Sequence, residues 1–384
     1  MTPEIWLENK FGHEKFHGYF NRFYNIFHSL KLEINSKVVT VAGTNGKGQT
    51  SRILSQIFLE NNKTTALWTS PHLLSVTERF NLNGSDISSE ELLEIFKETE
   101  SLLGHKVSQI SYFEFLFCSF MYLCSKKKIE YIVLEAGLGG RLDATNVVDA
   151  DLVLITSISR DHQSFLGNRY DKILSEKICL TRRSKGLITS FTLDYLDQIT
   201  GKYCEKNSIN WSKLTSKEMS FVEANYELAL RASRYILTSE PMMPKKQKMT
   251  DLACRLRYSS SFNMDFYPSH NPDGFRKLFH LLVNKTYNKV VISFSKRPQE
   301  DLIALIKMAK RFSPSGLSLC FFQASNSCEW DVLKRLGSEL SVNTYKSYSE
   351  FIDQQLSPGQ NVLATGSNYF IADFYKYLVG PSRR

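Results

Sequence analysis

Short runs of β-branched and apolar residues recur along the chain, separated by stretches whose apolar positions fall three and four residues apart. Val38–Ala42, Thr65–Thr69, Tyr131–Glu135, Leu152–Thr156 and Gly186–Thr189 read as strands. Between them, Ile53, Leu54, Ile57 and Phe58 share one helical face, and Leu92, Leu93, Ile95 and Phe96 form part of another. Strand and helix patterns in alternation are the signature of βαβ units and a mostly parallel sheet.

The alternation weakens between Thr238 and Asp251, where Pro241, Pro244 and a run of Lys245, Lys246 and Lys248 stand among few large apolar residues. Prolines and charge without apolar periodicity mark a domain boundary. A second alternation follows, with strands at Val290–Phe294, Leu317–Phe322 and Asn361–Thr365 and helices near Gln299–Phe312 and Tyr369–Leu378. The expected fold is α/β. A P-loop-type N-terminal domain with a mostly parallel sheet spans residues 1–245, and a smaller Rossmann-like α/β C-terminal domain spans residues 246–384.

The length of the chain allows two or three domains. The 384 residues are 42% hydrophobic and 23% charged, far from the composition of a disordered chain. The longest apolar stretch, Phe115–Cys124, is interrupted by Ser119 and falls short of the ~20 residues that cross a bilayer, so no membrane span is expected. The first residues lack the basic-then-apolar layout of a secretory signal. The seven cysteines are scattered, with no C-x-x-C pair, so a reducing cytoplasm is expected. The formal charge of +9 favours anionic ligands, either nucleic acid or phosphorylated and polycarboxylated small molecules. The basic groups Lys126–Lys128, Arg182–Lys185 and Lys245–Lys248 are short and free of interleaved aromatics, so solvated surface is the expected role.

The run Gly43, Thr44, Asn45, Gly46, Lys47, Gly48 follows a predicted strand and opens a helical pattern, which is the context a phosphate-binding loop requires. Glycines let backbone N–H groups approach the anion, the helix N-terminus adds positive potential, and Lys47 offers a point charge for the β- and γ-phosphates. One feature is off-pattern. A hydroxyl residue commonly follows the lysine, whereas Gly48 and Gln49 stand here and Thr50 comes third.

Taken together, GTNGKG at Gly43–Gly48, TSPH at Thr69–His72 with Glu78 and Arg79, SYFEF at Ser111–Phe115, LEAGLGGRLDATN at Leu134–Asn146, Asp161–His162 and Lys177 form an ordered set. In order and spacing this set resembles the folylpolyglutamate synthase and dihydrofolate synthase family of the Mur ligase superfamily. A looser likeness runs from His270, Asn271 and Pro272 to Gly366 and Ser367. The resemblance implies ATP and one or two Mg²⁺ ions, with Ser70 and Glu135 as metal ligands and His162 binding a second ion alongside Glu135. Both Ser70 and Glu135 stand at strand ends, where open parallel sheets gather ligand-binding residues. It further implies a carbamylated Lys177, ATP contacts at Asn225 and Arg255, and a pterin site at Ser111, Tyr112, Phe113 and Glu114 with Leu142, Asp143 and Ala144 beside it. Read from the residues alone, Tyr112, Phe113 and Phe115 are equally core aromatics. His270 would orient glutamate or the transferring phosphoryl group.

The chain departs from the family at Gln49 and again at Tyr267, where an ATP-linked acidic residue is usual. The expected function is an ATP-dependent ligase joining L-glutamate to a folate-type carboxylate, either dihydropteroate or a reduced folate. It would act as a cytoplasmic monomer in folate biosynthesis and one-carbon metabolism, without nucleic acid or membrane partners. Three alternatives stay open: a nucleotide-binding protein of this fold that has lost ligase activity, a Mur-type peptide ligase with another acceptor, and a basic nucleic-acid-binding protein.

Overall fold

A computed structural model of the chain describes residues 1–12, 20–161, 163–181, 184–215, 218–238, 240–242, 256–324 and 326–380. The chain divides into two compact units, Met1–Lys246 and Gln247–Arg384.

The first unit opens with helices α1 (Pro3–Phe11) and α2 (Phe20–Ser29), then β1 (Lys37–Ala42), α3 (Lys47–Glu60) and β2 (Thr65–Trp68). A short hairpin of β3 (Asn81–Leu82) and β4 (Ser85–Asp86) leads to α4 (Ser89–Leu103), α5 (Tyr112–Lys126) and β5 (Tyr131–Glu135). After β6 (Leu152–Ile155) come α6 (Gln163–Leu166), α7 (Tyr170–Ile178), β7 (Gly186–Thr189), α8 (Asp194–Lys206), β8 (Asn210–Lys213) and α9 (Phe221–Leu237). The strands form one eight-stranded sheet in the order β4-β3-β2-β5-β1-β6-β7-β8, parallel from β2 to β8 and antiparallel at β3 and β4. Strands β2, β6 and β7 are buried along their whole length, the mark of a sheet covered on both faces. On one of those faces α3 packs against β1, β2 and β5 and also touches α9. An aromatic core of Trp68, Phe80, Phe96, Phe115, Phe117 and Phe120 is wholly buried.

This order places β1 between β5 and β6, with Val41 opposite both Glu135 and Leu154. The loops leaving β2, β5, β1 and β6 therefore emerge side by side at one end of the sheet, as at the ligand-binding edge of open α/β sheets.

The second unit is a six-stranded sheet in the order β13-β12-β11-β14-β10-β9, where the strands are β9 (Leu256–Ser259), β10 (Asn263–Pro268), β11 (Lys289–Ser293), β12 (Leu317–Cys320), β13 (Asn343–Tyr345) and β14 (Asn361–Gly366). All neighbours are parallel except β9 and β10. Helices Pro272–Leu281, Gln299–Phe312, Trp330–Glu339, Tyr348–Gln355 and Asn368–Val379 alternate with the strands. No helix among the described residues is long and apolar enough to cross a membrane.

Candidate active site

The loop between β1 and α3 is shaped by two glycines. Gly43 has φ +143°, and a Cβ there would lie 1.9 Å from Thr156 Oγ1. Gly46 has φ +93°, and a Cβ there would lie 2.5 Å from Asn225 Oδ1. Only glycine fits either place. The segment after β6 braces the loop: Thr44 N donates to Ser157 O at 2.8 Å, Asn45 N to Ser157 Oγ at 3.0 Å, and Thr156 Oγ1 to Asn45 O at 2.8 Å. Thr44 Oγ1 exchanges hydrogen bonds with the Ser159 backbone, each 3.0 Å long. Among the described residues no side chain caps the start of α3, so the N–H groups of its first turn are open to an anion. Lys47 reaches back to Thr44 O at 3.3 Å and forms no ion pair among the described residues.

The neighbouring strand ends supply oxygen donors. Glu135, the last residue of β5, is 4% exposed, and its Oε2 accepts from Ser70 N at 3.1 Å. No cation pairs with it among the described residues. Ser70 Oγ is buried without a hydrogen-bond partner among the described residues. A buried carboxylate with no counter-charge beside an orphaned hydroxyl is a costly arrangement on its own, and a hard divalent cation compensates both groups. No cluster of three or more His, Cys, Asp or Glu occurs among the described residues; a hard divalent cation usually keeps several waters and needs few protein ligands.

Gly137 marks where further groups meet. A Cβ on it would lie 3.1 Å from the Phe113 ring, 3.3 Å from Asp143 Oδ2 and 3.5 Å from Ser70 Oγ. Asp143 is fully enclosed, and burial raises its carboxyl pKa against the hydrogen bonds that lower it. Those bonds include ones from Leu138 N, Thr145 N, Thr145 Oγ1 and the Gly137 backbone, so Asp143 also shapes the loop that carries it. Ser111 and Glu114 form a reciprocal capping box at the start of α5. Tyr112 is partly exposed beside them, and Leu142 and the buried Ala144 flank Asp143. The guanidinium of Arg79, 1% exposed, lies 5.5 Å from the Phe113 ring centre, and its Nε donates to His72 Nδ1 at 2.9 Å.

Lys177 sits near the end of α7 and is 4% exposed. Its Nζ donates to Gly43 O at 3.0 Å. Burial and then the charge of Lys47 lower its ammonium from the ordinary lysine range to about 7. The double glycine seats this helix: a Cβ on Gly140 would lie 2.6 Å from Glu176 O, and Arg141 N donates to the same carbonyl at 2.8 Å.

The sheet thus gathers the Gly43–Gly48 loop, Lys47, Ser70, Glu135, Lys177 and Asn225 within the first unit. His162 and Arg255 lie outside the described residues. His270 belongs to the second unit, where its carbonyl accepts from Arg297 and the next residue, Asn271, caps helix Pro272–Leu281. Tyr267 is 5% exposed in that unit's core, with Lys285 Nζ 3.3 Å from its hydroxyl. Nearby Asp265 accepts from Tyr287 OH at 2.8 Å and lies 3.4 Å from Arg257. Sequence reading missed the brace from Thr156, Ser157 and Ser159, although a Thr-Ser-Ile-Ser run at the end of a predicted strand was a usable sign.

Compared with known proteins, residues 41–235 match the Mur ligase middle domain. A dihydrofolate synthase/folylpolyglutamate synthase of Buchnera aphidicola is 34% identical over 204 residues, which cover 51% of this chain and 48% of that protein. The alignment therefore spans about half the length of that curated relative. The enzyme of the same name from Bacillus subtilis is 26% identical over 387 residues, covering 88% of this chain and 89% of its own. Among solved structures, a bifunctional folylpolyglutamate synthase/dihydrofolate synthase with Mn, AMPPNP and L-glutamate bound superposes with a TM-score of 0.79 at 23% identity. That superposition covers 99% of this chain and 98% of the other.

Proposed function

Because this chain belongs to the Mur ligase family through the middle domain that spans residues 41–235, we propose that it is an ATP-dependent ligase joining L-glutamate to a folate-type carboxylate through an acyl phosphate. The observation that carries the reading is the uncompensated Glu135 carboxylate and orphaned Ser70 hydroxyl on the strand ends beside the phosphate loop. The solved synthase structure holds AMPPNP, Mn and L-glutamate, the kind of ligand set this site would take.

In this reading the open amides of α3 and the Lys47 ammonium hold the triphosphate. An acceptor carboxylate oxygen attacks the γ-phosphorus and ADP departs. The amine of glutamate then adds to the acyl carbon, loses its proton, and phosphate leaves with the carbon–oxygen bond pair. A free carboxylate is a poor acyl donor, and phosphorylation supplies its leaving group. The protein's share is positioning and charge neutralisation. Ser70 and Glu135 would hold Mg²⁺, with His162 beside them; the ion supplies positive charge at the phosphate oxygens. A flat pterin would lie against Phe113 and Tyr112, with its ring N–H groups toward Asp143 or Glu114. The neutral amine of Lys177 would add CO₂ and release a proton, giving a carbamate. Free cysteines throughout the described residues fit a reducing cytoplasm. We read the chain as a monomer there.

The test is phosphate release from ATP with dihydropteroate or tetrahydrofolate plus glutamate. Lys47→Ala and Glu135→Gln are each expected to lower turnover by about 100-fold or more, in line with removal of a group that meets developing charge. Unchanged turnover in both variants overturns the site. A second reading, a nucleotide-binding protein without ligase activity, draws on Gln49 and on the burial of Tyr267. ATP binding with no phosphate release from either acceptor favours it.

A further inference from the structure

We infer that Gln49 is a phosphate-binding donor of the loop, held by Asn225, so that an amide N–H grips the nucleotide where such loops usually place a hydroxyl. This deepens the proposed function and rests on its nucleotide site. Gln49 is the third residue of α3, in the turn whose backbone amides stand open. Its Oε1 accepts from Asn225 Nδ2 at 2.6 Å. Asn225 is itself 2% exposed and fills the space that the missing Gly46 side chain leaves free. With its oxygen fixed, the carboxamide can offer only its nitrogen. Gln49 Nε2 is shielded from water and has no hydrogen-bond partner among the described residues.

A buried donor without an acceptor is unfavourable, so binding of a group that supplies one is favoured there. Beside an uncapped helix start and the Lys47 ammonium, that acceptor is an anionic oxygen, and in this loop a phosphate oxygen meets the requirement. The exchange of hydroxyl for amide has a chemical consequence. A hydroxyl oxygen keeps lone pairs for a metal, whereas the amide nitrogen has only hydrogens to give. Gln49 therefore binds phosphate and leaves the cation to the ligands named above and the substrate.

Isothermal titration with ATP in Mg²⁺ buffer tests this on the full chain, using Gln49→Glu, Gln49→Met and Lys47→Ala. Gln49→Glu keeps an oxygen for Asn225 but sets a carboxylate where the donor was. Gln49→Met loses the Asn225 bond and adds no charge. A donor to phosphate predicts that Glu weakens ATP binding by about ten-fold or more, the scale of a charge-assisted hydrogen bond, and that Met weakens it less. A clasp that merely holds Asn225 predicts the reverse order. Equal losses, or a larger loss with Met, overturn the inference. If Lys47→Ala abolishes binding while Gln49→Glu binds as the parent does, the inference falls and the nucleotide site stands. If the parent chain binds no ATP, both fall. Circular dichroism identifies a variant that fails to fold; should Glu do so, a further loss of affinity when Gln49→Met is added to Asn225→Ala supports the inference, and no further loss overturns it.

Discussion

Lys177 shows how a single side chain carries a pH dependence. The unfolded chain keeps its proton up to about 10.5, whereas the folded chain releases it near 7 because burial and Lys47 oppose the charge. Between those values the unfolded state binds more protons, so stability rises with pH; below 7 the cost of burying the charge is present in full. Urea unfolding in CO₂-free buffer is expected to show the parent gaining stability relative to Lys177→Met from pH 6.5 to 9.5. A constant difference would place the amine in water. Sequence alone could not show this, because a lysine on a helix is ordinarily solvated and nothing local announces that Gly43 O receives it. The phosphate loop was legible, because two close approaches demand glycine and the strand and helix flank them in sequence. Asn225 was visible only through the family resemblance, since its partners Gly46 and Gln49 lie some 180 residues away in the chain.

Elements were legible in proportion to how fully they are buried. Strands β1, β2, β5, β6 and β7 stood out as apolar runs, while β8 and β10 did not. In β8, Asn210, Trp211, Ser212 and Lys213 alternate between exposed and half-buried at the sheet edge. In β10, Asn263, Asp265 and Pro268 break the apolar pattern, although parallel pairing to β14 and antiparallel pairing to β9 enclose the strand. At the start of α5, the capping box gives Ser111 a structural task whatever it contacts in a substrate. Ser111→Ala is expected to cost about 1 kcal/mol of unfolding free energy in urea titrations, the usual loss of an N-cap. No change in stability would free Ser111 from the helix and leave binding as its only role.

For the whole molecule, the two-part division was readable from the proline- and lysine-rich break, whereas the spatial order of strands was not. Periodicity says where strands are, and long crossovers decide which become neighbours. The first unit's centre depends on such crossovers, since β1 is paired on both sides by strands that come later in sequence, β5 and β6. A fragment ending at residue 150 would keep β1, α3 and β5 but lack β6 and the Thr156–Ser159 brace. It is expected to lose cooperative thermal unfolding and ATP binding, and a sharp melt with retained binding would contradict this.

During synthesis the same pairing imposes a wait. The strand that leaves the ribosome first among the eight must stay unpaired until about a hundred further residues have been made, with closure of that long loop still ahead. Its apolar Val38, Val39 and Val41 would then be open to other nascent chains. Translation speed across the first half of the message, and the chaperones that meet it, thus bear on how much protein reaches the native state.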